Sequence, residues 1–272
     1  MTQAKVCFIG AGNMTRSIIS GLVKNGYPSE LVHATNPSQP KLDALNTDFG
    51  ILVSNDNIQA AKDADVIVLS VKPQLMQQVC ESMQTLDLSN KLVITIAAGI
   101  PASRYPEYFN QPIKLIRTMP NTPTQLGYGM TGIFADESIT EAHKAICQTL
   151  MESGGKVIWV EKESELNQVI ALAGSSPAYF FLFIESMIET GKRMGMDEAK
   201  ARALAEQAAL GAAQMVIQNQ DLSLATLRNN VTSKGGTTAQ AVETFEKGGL
   251  RELVDSAMSN CVAKAEEMAK TF

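Results

Sequence analysis

Histidine, cysteine and tryptophan are scarce in this chain of 272 residues, which holds two, four and one of them. The cysteines, Cys7, Cys80, Cys147 and Cys261, lie far apart, and no histidine stands near any of them. This spacing argues against a zinc site and against a disulfide framework. We therefore expect no metal and predict buried free thiols in a reducing compartment.

Basic charge is also limited, because 23 Lys and Arg face 28 Asp and Glu and give a net charge of -5. The basic residues are scattered, which argues against nucleic acid and anionic membranes as partners. The longest apolar stretch, around residues 178–184, is too short to span a bilayer. The N-terminus has no basic segment followed by an apolar run and a cleavage site. We expect a soluble, cytoplasmic protein.

Short β-branched runs alternate with helical patterns before about residue 161. The predicted strands are residues 6–9, 31–35, 51–53, 66–71, 92–97 and 113–118. Helical patterns such as 14–24 and 74–86 lie between them, and 132–135 and 156–160 can add edge strands. This order predicts right-handed βαβ units and a mostly parallel sheet.

Beyond about residue 161, Ala, Leu, Met and Glu become frequent. The helical patterns there are 166–173, 177–194, 198–218, 223–229, 238–247 and 251–270. The chain is therefore predicted to be an α/β protein. A Rossmann-like domain (1–161), with a doubly wound and mostly parallel sheet, precedes an all-helical domain (162–272).

A glycine-rich turn follows the first predicted strand and opens a helix. Its residues are Gly10, Ala11, Gly12, Asn13 and Met14. Gly10 permits the tight turn, and Gly12 lets a dinucleotide pyrophosphate approach the backbone. Thr15 stands where a third Gly or an Ala is usual. The alternative interpretation is an ordinary glycine turn.

The end of the second strand indicates which cofactor binds. An NAD site usually carries an acid there, yet the segment after Ala34 has none before Asp43. Asn36 and Ser38 can instead bind a 2′-phosphate, so NADPH is favoured and NADH remains possible. A plain Asn-Pro-Ser turn is the alternative.

Three further segments are predicted to line the same crevice, because the carboxyl ends of parallel strands form it. Val71, Lys72 and Pro73 follow the fourth strand, although Lys72 can equally be a solvated residue at a helix start. Ala98 and Gly99 follow the fifth strand and are small enough for a nicotinamide ring to lie against them. The double-proline segment 117–123 is either a structural turn or a contact.

A late segment, residues 231–239, places hydroxyls and paired glycines just before a predicted helix. Such a helix start, with free N–H groups, suits a small anion. We call residues 231–239 the anion loop. The glycine-rich turn and the anion loop together indicate a reductase of a small carboxylated molecule.

Five motifs carry a family likeness. They are MPNTP at 119–123, GSSPAYFF at 174–181, LGAAQM at 210–215, SKGGTT at 233–238 and EKGGLR at 246–251. In these motifs, and over nearly its whole length, the chain resembles the pyrroline-5-carboxylate reductases. The resemblance implies reduction of the ring imine of 1-pyrroline-5-carboxylate to L-proline with NADPH or NADH, the last step of proline biosynthesis.

The resemblance also implies roles for individual residues. Ser233, Gly236 and Thr237 would bind the substrate carboxylate, and the catalytic Thr238 would meet the ring nitrogen through its hydroxyl. Glu163 would line the proline pocket. The nucleotide contacts implied in this way are Asn57 and Asn230.

Two residues depart from the family pattern. Lys234 replaces the usual Pro, which loosens the loop and adds a positive charge. Ser176 replaces a Gly, where it can cap the next helix with Pro177 in the first position.

The helix predicted at 177–188 is apolar nearly all round, which predicts burial. It is either an internal core helix or, as the resemblance implies, part of a homodimer through the C-terminal helices. The active site would then lie near the subunit boundary. Assembly of dimers into a higher oligomer is left open.

Three other functions remain. A six-membered cyclic imine acid differs from the proposed substrate by one methylene, worth only about 1–3 kcal/mol. A hydroxyacid dehydrogenase would need a Lys donor on the long helix, and residues 177–189 hold none. An NADPH-binding regulator would not need the intact 233–238 loop.

Overall fold

An eight-stranded sheet forms the centre of the N-terminal part of the protein, in a computed structural model that describes residues 3–271. The strands are β1 (Val6–Ile9), β2 (Val32–Thr35), β3 (Leu52–Ser54), β4 (Val66–Leu69), β5 (Leu92–Thr95), β6 (Lys114–Met119), β7 (Gly129–Ala135) and β8 (Gly155–Trp159).

The strands lie in the order β3-β2-β1-β4-β5-β6-β7-β8. Neighbours from β3 to β6 are parallel, β7 is antiparallel to β6, and β8 is parallel to β7. The first six follow the Rossmann order, which reverses direction between β1 and β4. The prediction of a doubly wound, mostly parallel sheet is confirmed. Of the two predicted edge strands, β8 lies at the edge of the sheet, whereas β7 lies between β6 and β8.

Twelve α-helices are described within residues 3–271. They are α1 (Asn13–Lys24), α2 (Gln39–Phe49), α3 (Asn57–Lys62), α4 (Pro73–Ser82), α5 (Arg104–Phe109), α6 (Glu141–Glu152), α7 (Glu165–Val169), α8 (Ser176–Arg193), α9 (Glu198–Gln218), α10 (Leu224–Asn230), α11 (Thr237–Lys247) and α12 (Leu250–Thr271). The all-helical C-terminal part is confirmed.

Hydrophobic cores cover both faces of the sheet. Along β1, Val6 and Phe8 join one core, whereas Cys7 and Ile9 join the other. Alternate side chains of a strand point to opposite faces, so a run of four buried apolar residues is what a doubly covered strand requires.

Three of the four cysteines lie in these cores, as predicted, and Cys261 is half-buried. Burial raises the pKa of the Cys7 and Cys80 thiols to about 12. It raises the pKa of Cys147 as well. These three thiols therefore stay protonated near neutral pH and are poor nucleophiles.

The chain folds into two compact units, which differ from the predicted domains. The first joins the residues up to Pro177 with those from Asn260 onward, and the second is Ala178–Ser259. The first unit thus takes in residues 162–177 and the end of α12. The assignment of a functional domain boundary at residue 161 stays a prediction.

The helical stretch Glu165–Arg193 runs for 29 residues and contains a window with a mean hydropathy of 1.4. By length and composition it could cross a membrane, whereas the longest apolar stretch expected from the sequence, around residues 178–184, is too short to do so. Only 11% of that window is buried within the chain, and α8 contributes no buried residue. The interpretation of α8 as an internal core helix is therefore wrong for the single chain.

A π turn (Ile170–Gly174) connects α7 to α8 within this stretch. The backbone N–H of Ser175 donates to the carbonyl of Ile170 at 2.8 Å, which is the five-residue spacing of a π turn. Ser176 is itself the first residue of α8. It therefore does not precede and cap the helix, as the sequence predicted.

Candidate active site

The glycine turn lies where three strands end side by side. The N–H of Gly10 donates to the carbonyl of Thr35, and the N–H of Ser70 donates to Ile9, both at 2.9 Å. Gly10 has a φ of 111°, and a Cβ there would lie 2.7 Å from the Ser70 carbonyl oxygen. Only glycine therefore fits this approach of β1 to the end of β4.

The start of α1 fits a pyrophosphate. Gly12 precedes the helix with no side-chain cap, and a Cβ placed on it would meet nothing within 4 Å. Free N–H groups and open space at a helix start are what a phosphate requires. Asn13 and Met14 are the first two helical residues. Buried Thr15 donates its hydroxyl to the Gly10 carbonyl at 2.8 Å, which explains why a branched residue is tolerated.

Two asparagines, one just after β2 and one at the start of α3, make hydrogen bonds in or beside this turn. The Oδ1 atom of Asn36 accepts the N–H of Ala11 at 3.3 Å. Asn57 accepts the hydroxyl of Thr35 at 2.6 Å. Ser38 stands before α2 and makes no side-chain cap. Asn36 and Asn57 therefore have structural contacts, and their roles toward a nucleotide stay predictions.

The ends of β4 and β5 complete this edge of the sheet. The Val71 side chain lies 3.2 Å from the position of a Gly10 Cβ. Exposed Lys72 precedes α4, whose first residue is Pro73. After β5, Ala98 is half-buried, and Gly99 is buried with a φ of 78°. The structure thus brings the predicted cofactor residues of the first unit to the carboxyl ends of β1, β2, β4 and β5, whereas Asn230 ends α10 in the second.

The predicted anion loop forms the start of α11 within the second unit. Gly236 precedes the helix without a side-chain cap, and its N–H donates to the Ser233 carbonyl at 3.0 Å. A Cβ on Gly236 would lie 2.7 Å from the Ser233 hydroxyl. Thr237 and Thr238 are the first two helical residues, and both are exposed. Hydroxyls and free N–H groups therefore share one helix start, as a carboxylate site requires.

Glu163 has two partners within the first unit. Its Oε1 atom accepts the N–H of Ala102 at 2.6 Å and pairs with the Arg117 guanidinium at 2.5 Å. The Arg117 side chain is only 9% exposed, against 32% for Glu163. The predicted contact of Glu163 with the substrate stays a prediction.

The sequence pattern alone gives Arg117, inside a double-proline segment, no role of its own. The signal that could have singled it out is a charged residue among the buried positions of β6. In the same segment, Asn121 donates to the Ala173 carbonyl at 3.0 Å and accepts the N–H of Met130 at 2.9 Å. These contacts favour the structural interpretation of the MPNTP motif.

Neither histidine lies in the glycine turn or the anion loop. His33 is on β2, where burial lowers its pKa and favours the neutral ring. His143 is in the first turn of α6, and burial lowers its pKa as well. Among residues 3–271, no cluster of His, Cys, Asp and Glu could hold a metal ion.

Comparison with known proteins agrees with this arrangement. Residues 163–268 match the family model for pyrroline-5-carboxylate reductase dimerisation. Residues 5–99 match the model described as NADP oxidoreductase, coenzyme F420-dependent. A pyrroline-5-carboxylate reductase of Vibrio alginolyticus is 56% identical over 272 residues, all of both chains. The chain belongs to the pyrroline-5-carboxylate reductase family.

Solved structures of the pyrroline-5-carboxylate reductase family share the whole fold. The enzyme from Coxiella burnetii is 39% identical with a TM-score of 0.91, over 98% of this chain and 99% of that one. The Plasmodium falciparum enzyme, solved with NADP bound, is 27% identical with a TM-score of 0.89, over 99% of each chain. As a member of this family, the chain is a nicotinamide-nucleotide oxidoreductase with a dimerisation region in its C-terminal part.

We predict that Asn36→Asp shifts cofactor preference toward NADH. A carboxylate at the end of β2 repels a 2′-phosphate and suits a 2′-hydroxyl. The ratio of kcat/KM with NADPH to that with NADH should fall at least about tenfold. Steady-state kinetics with both nucleotides measure this ratio. Because Asn36 also accepts the N–H of Ala11, Asn36→Ser is the control for loss of the amide alone. An equal fall in both variants would contradict the charge argument.

Proposed function

We propose that this protein reduces 1-pyrroline-5-carboxylate to L-proline with NADPH, the last step of proline biosynthesis. The full-length 56% identity to the Vibrio alginolyticus reductase carries this proposal. Two local features support it: the open helix start at Gly12 and the hydroxyl-bearing helix start at Gly236.

The substrate carboxylate is proposed to bind at the start of α11. The N–H groups of the first helical turn and the Ser233 hydroxyl act as donors, and the helix dipole favours a negative charge there. Arginine is not required, because several neutral donors can stabilise one carboxylate. Lys234, exposed beside the paired glycines, adds a positive charge that attracts anions.

The proposed reaction needs little acid–base chemistry from the protein. Bound NADPH supplies the hydride that adds to the imine carbon. An imine nitrogen is basic enough to arrive protonated, so adding hydride turns the C=N bond into a CH–NH bond and restores the nitrogen lone pair. Positioning and one hydroxyl toward the nitrogen, that of Thr238, then contribute most of the rate.

The protein is further proposed to act as a homodimer in the cytoplasm, with dimers able to assemble further. The second unit exposes large apolar side chains, for example Phe180, Leu182 and Leu210, which are 67%, 64% and 56% exposed in the single chain. Exposed apolar area on this scale marks an interaction surface. These side chains could be covered by a second copy of this chain or by a lipid bilayer. The match of residues 163–268 to a dimerisation model favours the second copy.

The function is tested by following NADPH oxidation with 1-pyrroline-5-carboxylate and, in parallel, with its six-membered homologue. We expect faster turnover of the five-membered ring, with L-proline as the product. Preference for the six-membered ring would identify the six-membered cyclic imine acid as the substrate instead. NADPH binding without turnover of either ring would instead favour the regulator.

For Thr238, we predict that the Thr238→Ala variant lowers kcat by about 10- to 100-fold and leaves NADPH affinity nearly unchanged. The hydroxyl that meets the ring nitrogen is lost, whereas the glycine turn lies in the other unit. Thr238→Ser retains the hydroxyl and should keep most of the activity. Unaltered kinetics in the alanine variant would remove Thr238 from the mechanism.

For the subunit interface, we predict that Leu182→Glu weakens self-association at least about 100-fold, because the carboxylate would be buried without a partner. Sedimentation equilibrium measures the change. Leu126→Glu introduces the same charge at a 71% exposed leucine of the first unit and should leave the assembly intact. Equal effects of both variants, or a monomeric wild type that partitions into lipid vesicles, would contradict the interface.

A further inference from the structure

The segment after β5, residues 97–102, is fixed at both ends by hydrogen bonds. This is the segment against which the nicotinamide is expected to lie. At its start, the N–H of Ala97 donates to the Thr95 hydroxyl at 3.3 Å, which is itself 2.7 Å from the buried Tyr105 hydroxyl. At its end, the N–H of Ala102 donates to Glu163.

The middle of this segment is fixed by packing. Gly99 adopts a φ of 78°, and a Cβ there would lie 2.9 Å from the Cβ of Met268 on α12. A side chain at this position would therefore collide with α12, so only glycine fits this close approach. Among these contacts, the bond from Ala102 to Glu163 is the one made by a charged side chain.

Glu163 is in turn held by the sheet through Arg117. The same Oε1 atom accepts both Ala102 N–H and Arg117 Nη1, and Arg117 lies beside Thr95 in the register of β5 with β6. The guanidinium is nearly buried, and its Nε has no hydrogen-bond partner among residues 3–271. A buried charge of this kind depends on its counter-ion, and Glu163 is the counter-ion that pairs with this guanidinium.

We propose that Glu163 and Arg117 are positioning residues that tie residues 97–102 to β6 and so fix the backbone against which the nicotinamide is expected to lie. The proposal rests on the proposed reductase function. It assigns Glu163 a different role from a contact with the substrate, because its Oε1 atom already accepts two donors. Hydride transfer depends steeply on the distance between the reacting atoms, so a small displacement of this segment slows the reaction.

We call the link from residues 97–102 through Glu163 to Arg117 the tether. It is tested first without nucleotide, by hydrogen exchange of peptides covering residues 97–104. Glu163→Ala should speed exchange there by about tenfold or more, because Ala102 loses its acceptor. Glu163→Gln keeps an acceptor oxygen and should stay near the wild-type rate. Glu141→Ala, which removes an exposed i,i+3 pair with Lys144, is the control and should change nothing here. Unchanged exchange in Glu163→Ala would overturn the proposal whether or not the protein is a reductase.

Kinetics then separate positioning from substrate contact. Glu163→Ala should lower kcat by about 10- to 100-fold, with KM for the imine within about threefold of wild type. Glu163→Gln should restore most of kcat. A rise in KM at constant kcat would place Glu163 in the substrate pocket and overturn the proposal, and so would unchanged kinetics. A wild type that reduces no imine would instead refute the proposed function, and the exchange result would still decide the tether.

The role of Arg117 is tested by a double-mutant cycle on thermal unfolding with Arg117→Met and Glu163→Ala. Removing Glu163 alone leaves a buried guanidinium uncompensated, and removing both partners does not. The double variant should therefore lose less stability than the sum of the two single variants. Additive losses would overturn the pairing of these residues.

Discussion

The close approach of β1 to the end of β4 is the constraint on which the rest of the nucleotide site depends. At Gly10 the chain passes so near the Ser70 carbonyl that no side chain fits. This is also where the strand order reverses, so loops from both halves of the sheet leave in opposite directions and open a crevice. Three features lie around that reversal: the start of α1, the hydrogen bonds of Asn36 and Asn57, and the segment after β5.

The second unit is organised by a different requirement. Its helices α8 and α9 together contribute only Ala201 and Ala205 as buried residues, while the large apolar side chains of α8 lie exposed. Helices with so little burial cannot gain enough hydrophobic stabilisation from their own chain. A second copy of this chain, proposed above from the dimerisation match of residues 163–268, would supply the apolar surface that covers these helices.

Most of the fold could be predicted from the sequence, because hydrophobic periodicity is local. The runs at 66–71 and 92–97 predicted strands, and β4 and β5 occupy their first four residues. The surroundings of α8 could not be predicted in the same way, because an apolar helix has the same sequence pattern in a core, an interface or a membrane. The candidate site divides similarly. The glycine turn follows from backbone geometry, whereas the bonds of Glu163 to Ala102 and Arg117 join residues 61 and 46 positions apart.

A reductase of a protonated imine places unusual demands on its residues. Because the substrate brings its own proton, the site needs no group with a pKa tuned for proton transfer, and both histidines lie elsewhere. Rate must then come from holding two bound molecules at the right distance. Charged residues that never touch either molecule can control that distance through the backbone. A partly buried ion pair adds little stability, but it can hold the backbone stiffly when one partner lies on a sheet and the other in a loop. The pair of Arg117 and Glu163 is placed to supply that stiffness rather than stability or acid–base catalysis.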